Sequence, residues 1–180
     1  MHRTSAPFRM TLGLCLALLL GTVAVCAAAQ NDHGPTERVA PPSEAKMARH
    51  NAMKERLLEG NADLLFIGDS ITQGWESAGK EVWDYYYADR NAVNLGTSGD
   101  RTYHVLWRLD DLDFSRVSPK LAVIMIGTNN HGIHSAEQIA EGVTAIVQTV
   151  RERLPQTKVL LLGIFPREAA PDAENRVKLA

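Results

Sequence analysis

Cysteine is almost missing from this sequence. Its only two, Cys15 and Cys26, lie within the first 29 residues, so a mature chain that starts beyond them has neither a disulfide framework nor thiol chemistry. No block of basic residues occurs. The 19 Lys and Arg stand against 21 Asp and Glu, a formal charge of −2, which argues against nucleic acid as a partner. No apolar run reaches the roughly 20 residues that a membrane-spanning helix needs. There is no internal repeat and, past the first 29 residues, no low-complexity tract. None of the six histidines has an acid three residues before it: those positions hold Gln30, Met47, Arg101, Thr128 and His131, and His2 has none.

The chain opens with Arg3 and Arg9, an apolar stretch from Met10 to Val25, and Ala27-Ala28-Ala29 before Gln30. That is the layout of a secretory signal peptide over residues 1–29, and it makes the protein an exported one, periplasmic or extracellular, with no stable membrane anchor after cleavage. An uncleaved anchor fits less well because the run is short. Acylation at Cys26 fits less well because Val25 stands where a small residue is wanted. Without the leader, 180 − 29 leaves 151 residues, enough for one domain with a core. Its charge is 17 − 21 = −4, since only Arg3 and Arg9 are lost.

Residues 30–42 are polar and hold Pro35, Pro41 and Pro42, a flexible lead-in. From residue 43, helices and strands alternate. Ser43 caps a helix that runs to about Glu59, with Gly60 ending it. Strands are expected at Asp63–Gly68, Ala92–Leu95, Leu121–Ile126 and Lys158–Ile164. Helices are expected at Trp83–Arg90, at Thr102–Asp110 with Val105, Leu106 and Leu109 on one face, and at Ser135–Arg153. The last has a capping box, Ser135 with Gln138, and an apolar stripe of Ile139, Val143, Ile146, Val147 and Val150. The alternation, with continuous apolar strands, argues for a parallel sheet with helices on both faces.

Three polar loops follow three of these strands: Gly68-Asp69-Ser70, Gly96-Thr97-Ser98-Gly99-Asp100 and Gly127-Thr128-Asn129-Asn130. Taken singly, each has a bland reading. A serine after a strand is more often a helix cap, the glycines are turn residues, and an asparagine is a cap or turn residue. Parallel strands nevertheless bring all three to one carboxyl edge, where open α/β folds place their chemistry. A serine needs a base and oxyanion donors to attack a carbonyl. Glycine N–H groups and an asparagine carboxamide can supply the donors without adding charge.

As a set, Phe66–Ser70, Asn94-Leu95-Gly96, Gly99-Asp100, His104–Leu109, Gly127–His131 and Leu162–Ile164 with Pro166-Arg167 resemble the GDSL, or SGNH, hydrolase family, near its platelet-activating-factor acetylhydrolase branch. The resemblance covers about residues 62 to 168. It implies a three-layer α/β/α sandwich, a flavodoxin-like parallel sheet of order 2-1-3-4-5. It implies Ser70 as nucleophile, with the Ser70 N–H, the Gly99 N–H and the Asn129 side chain as the oxyanion hole. The implied activity is cleavage of small acyl esters, of a lipid or carbohydrate, through an acyl-enzyme, without metal or cofactor. A homodimer is compatible with it. The alternative is a catalytically silent carbohydrate- or lipid-binding module with the same fold.

The family's base, the histidine of a late Asp-x-x-His block, has no counterpart, so the domain from residue 43 to 180 reads as stopping before the fifth strand. Expressed alone it is expected to be poorly soluble and nearly inactive. His131 and His134 are the internal substitutes to weigh, and they are more simply loop residues than a base or a metal pair. Gly74–Lys80 is one residue short of a phosphate loop, since Glu81 stands where Ser or Thr would reach a metal. Asp110, Asp111 and Asp113 read as a solvated turn. Trp83 and Tyr85–Tyr87 read as packing on the core, and Asp69 as stabilising the turn after its strand.

Overall fold

The computed structural model describes residues 33–166. The signal-peptide segment, the start of the lead-in, Arg167 and everything after it lie outside the described residues. Within them, four strands form one parallel sheet: β1 (Leu64–Gly68), β2 (Ala92–Asn94), β3 (Leu121–Met125) and β4 (Lys158–Leu161). Their order is β2-β1-β3-β4, as expected of an SGNH-like α/β fold up to its fourth strand. The register pairs Phe66 with Asn94 and with Val123, so the carboxyl ends of β1, β2 and β3 share one edge of the sheet.

Alternation sorts the strand residues between two faces. Leu65, Ile67, Ala122 and Ile124 face the main core. There they meet Met53 and Leu57 of α1 (Glu44–Leu58), Leu106 and Leu109 of α4 (Thr102–Asp111), and Ile146 and Val150 of α5 (Ala136–Arg153). On the opposite face Phe66 packs edge-on against Trp83 and Tyr87, at 5.0 and 5.1 Å between ring centres. Helices thus flank both faces. The α5 stripe is buried as its spacing requires, and Ser135 accepts the Gln138 N–H while Gln138 reaches back to the Ser135 N–H at 2.9 Å.

Some expectations are corrected. The helix expected over Trp83–Arg90 is α3 (Lys80–Tyr86), starting and ending earlier. Tyr87 leaves helical geometry, a 3-10 turn follows at Ala88–Arg90, and Asn91 closes it in the left-handed region at φ 50°. Tyr85 and Tyr86, expected to pack, are exposed, because only Trp83 and Tyr87 fall on the face toward Phe66. Asp110 and Asp111 are not merely solvated. Asp110 pairs with Arg38, and Asp111 receives His50 and Lys54 of α1 at 2.8 and 2.9 Å, joining α1 to α4. The described part of the lead-in is held to the domain, with the Thr102 hydroxyl donating to Pro35 O at 2.8 Å. At the β4 edge Leu160 and Leu161 are about half exposed, at 47% and 50%.

Candidate active site

Ser70 opens a one-turn helix, α2 (Ser70–Gln73), directly after β1. The cap is Asp69, not Ser70: its buried carboxylate accepts the Ile71 N–H at 3.0 Å, and burial pushes the Asp69 pKa up. With Asp69 doing the capping, the Ser70 side chain is exposed, and its hydroxyl and backbone N–H have no hydrogen-bond partner among the described residues.

The glycine loop folds onto this turn. The Thr97 N–H donates to Gly68 O at 3.2 Å and the Ser98 N–H to Gln73 Oε1 at 2.7 Å. The Asn94 carboxamide donates to Thr72 O at 2.8 Å. Gly96 must be glycine for this approach, because a Cβ there would stand 2.6 Å from Gln73 N and from Thr72 Cβ. Gly99 sits at φ +71° in the turn closed by the Asp100 N–H to Thr97 O at 3.1 Å. Its own N–H has no acceptor among the described residues and is left free to meet an anion.

The third loop joins at the same place. Asn129 Nδ2 donates to Asp100 O at 2.9 Å, and the Asn129 carbonyl accepts from Arg101 Nε at 3.0 Å. One Asn129 amide hydrogen is thereby tied to the glycine loop, leaving the second for another acceptor. Its neighbour Asn130 is wholly buried and accepts the Thr102 N–H at 3.1 Å, donating to the Thr102 hydroxyl at 2.9 Å.

The histidines within the described residues are engaged elsewhere or stand apart from Ser70. His134 lies between the Asn130 carboxamide and His33 O, both at 2.9 Å, so both ring nitrogens are occupied by structural bonds. His50 is buried against Trp107, and burial lowers its pKa. His104 Nδ1 accepts the Arg101 N–H at 3.2 Å, and burial pushes its pKa down to about 4. His131 makes no hydrogen bond to Ser70. No group of three or more His, Cys, Asp or Glu side chains that could hold a metal occurs among the described residues.

Several residues at the site went unread in the sequence. Arg49 of α1 donates to Gly96 O at 2.6 Å and forks onto Glu76 at 2.8 and 2.9 Å. Arg108 donates from Nε to Asp100 Oδ2 at 2.6 Å, both side chains being buried. A signal for Arg108 existed: it lies three residues after Val105 on the apolar stripe of α4, where a charge needs a buried partner. Beside Ser70, an open hollow of about 390 Å³ is lined by Ile71, Trp75, Met125, Leu162 and Phe165.

The serine turn, glycine loop and asparagine loop stand together at the ends of three parallel strands, and the chain belongs to the GDSL-like lipase/acylhydrolase family, whose model matches residues 66–180. Among its relatives is platelet-activating factor acetylhydrolase IB subunit alpha1, 40% identical in the Homo sapiens protein over 126 residues, which is 70% of this chain and 53% of that protein. The Bos taurus alpha1 subunit is 37% identical over 146 residues, 78% of this chain and 62% of that protein. The Rattus norvegicus alpha2 subunit is 39% identical over 126 residues, 70% of this chain and 54% of that protein. The chain therefore spans a little over half the length of the curated relatives it matches. A solved structure from Streptococcus pneumonia that carries a platelet-activating-factor name shares the fold, with a TM-score of 0.52 and 24% identity over 73% of this chain and 67% of its own.

Proposed function

We propose that the protein is a serine esterase that cleaves small acyl esters, acetyl esters foremost, through an acyl-enzyme on Ser70. The observation that carries this reading is the hydrogen-bonded union of the three loops: Asn129 Nδ2 on Asp100 O at 2.9 Å and the Ser98 N–H on Gln73 Oε1 at 2.7 Å. It supports the reading of the Ser70 N–H, the Gly99 N–H and the Asn129 carboxamide as donors for a tetrahedral oxyanion. Such donors are worth about 10²–10³-fold in kcat each when removed one at a time. The Ser70 oxygen attacks the acyl carbon while a general base takes its proton, the alcohol leaves with a proton returned by that base, and water then releases the acid. The family pattern carries such a base as the histidine of an Asp-x-x-His block. Acetyl selectivity is suggested by the relatives' names, and the apolar hollow beside Ser70 suits an uncharged alkyl part of the ester. The basic, apolar and small-residue leader supports export, and a homodimer is compatible with the reading.

The test is labelling of the full-length protein with a fluorophosphonate, together with hydrolysis of p-nitrophenyl acetate. Both are expected to depend on Ser70 and to vanish in Ser70→Ala. Folded full-length protein that binds acylated lipid or carbohydrate but leaves Ser70 unlabelled would establish the silent binding module instead.

A further inference from the structure

Asp100 occupies an unusual position between the two proposed oxyanion donors. Its carboxylate is wholly buried: Oδ2 accepts from Arg108 Nε at 2.6 Å, and Oδ1 from Lys46 Nζ at 3.3 Å and Arg108 Nη2 at 3.5 Å. Its backbone N–H closes the turn that contains Gly99, onto Thr97 O at 3.1 Å. Its backbone carbonyl receives the Asn129 carboxamide at 2.9 Å. One residue therefore fixes both the turn from which the Gly99 N–H emerges and the rotamer of Asn129. The residue holding it, Arg108, is 2% exposed and rides on α4, whose neighbouring Val105, Leu106 and Leu109 are locked in the main core.

We propose that the buried Asp100–Arg108 pair is the positioning device of the oxyanion hole, and that Arg108 controls the acyl-transfer step without touching substrate. The inference rests on the reading of Gly99 and Asn129 as oxyanion donors. The chemistry favours an orienting role over a stabilising one. A buried ion pair contributes little beyond what apolar side chains of similar volume would, because desolvation consumes most of its attraction. Orientation is what its fork geometry supplies: a guanidinium meets a carboxylate through donors held in a fixed plane, and a lysine ammonium does not. Lys46 reinforces the carboxylate from α1, and its Nζ lies 3.3 Å from where a Cβ on Gly99 would stand. Helices α1 and α4 thus both lock the loop from the side of the core.

The experiment is a double-mutant cycle in the full-length enzyme, with Arg108→Lys, Asn129→Ala and the two combined. It reads kcat and KM for p-nitrophenyl acetate and the rate of Ser70 phosphonylation. Arg108→Lys is expected to lower kcat and the phosphonylation rate by about 10- to 100-fold, as a small misplacement of catalytic groups does, with KM little changed. Because Asn129→Ala already removes one of the two donors that Arg108 positions, the double variant should fall by clearly less than the product of the two single losses. Wild-type kcat in folded Arg108→Lys, or losses that multiply in the double variant, would overturn the proposal. Should Arg108→Lys unfold, Asp100→Asn replaces it in the same cycle with the same two outcomes, since the amide keeps the shape and loses the charge. Turnover that survives Ser70→Ala would overturn the esterase reading itself. Ser70-dependent turnover indifferent to Arg108 would overturn only the positioning role.

Discussion

Acid should unlatch the start of α4 through His104. In the folded protein Nδ1 of His104 accepts the Arg101 N–H at 3.2 Å, which ties the N-cap amide of that helix to its first turn. A protonated ring carries a hydrogen on that nitrogen and cannot accept. Burial is the main reason its pKa falls from 6.5 to about 4; Lys46, Arg108 and Arg101 add to the fall, and Asp100, at 4.0 Å, opposes it. The folded value lies below the unfolded one, so the unfolded chain takes up the proton first as pH falls. The associated stability is intact above pH 6.5 and is lost as pH drops toward 4. A difference of about 2.5 in pKa, at about 1.4 kcal/mol for each, gives a total loss of about 3.5 kcal/mol, of which about 2 has gone by pH 5 and about 3 by pH 4. The comparison protein is His104→Gln, because glutamine at the third helical position accepts the same N–H without titrating. Urea unfolding of both proteins at pH 7, 5 and 4 isolates the effect, since the two differ at no other residue. Wild type should lose about 3 kcal/mol relative to His104→Gln between pH 7 and 4. Parallel stability profiles would refute the reasoning.

Two further outcomes follow from packing and capping. Gly142→Ala within α5 should lower the thermal unfolding midpoint, although alanine is about 1 kcal/mol better than glycine in a helix. Its Cβ would stand 2.7 Å from Thr102 Cβ and 2.8 Å from Pro35 O, and such overpacking costs about 1–3 kcal/mol; an unchanged or raised midpoint would show that the contact relaxes. Ser135→Ala should cost about 0.5–2 kcal/mol in urea unfolding by removing the α5 cap, while the Ser70 phosphonylation rate stays at the wild-type value.

The elements legible in the sequence were those with a period long enough to repeat. The apolar stripe of α5 and its Ser135–Gln138 box mark that helix to within a residue of its start, and the apolar runs of β1 and β3 are found to within one residue at each end. Two features were too short or too local to carry a period. Helix α2 is four residues long, about one turn, and α3 ends where Tyr87 changes backbone conformation, a break that no glycine or proline announces. The lead-in's attachment was invisible for another reason: its polar, proline-containing composition says nothing about Thr102 and His134, the residues that bond its carbonyls.

The candidate site divides along the same line. Ser70, Gly99 and Asn129 were legible because each ends a strand or a loop in a pattern, and topology alone brings strand ends to one edge. Arg49 meets Gly96 from 47 residues away, and Asp100 meets Arg108 and Lys46 from 8 and 54; the charge on the α4 stripe hints that Arg108 needs a partner, but no local pattern names it. Asn129 and Asn130 make the limit concrete. They are adjacent and chemically identical, yet Asn130 is fully buried between Thr102 and His134, while Asn129 keeps one amide hydrogen beside Gly99. Residues in a 3-10 turn point about a third of a turn apart, so one side chain of such a pair faces the core and the other the strand edge. Which is which depends on how the turn at Thr128–Asn130 sits on α4. That contact also decides which asparagine keeps an amide hydrogen for the proposed oxyanion, so the role proposed for this loop rests on packing against Thr102 rather than on the asparagine itself.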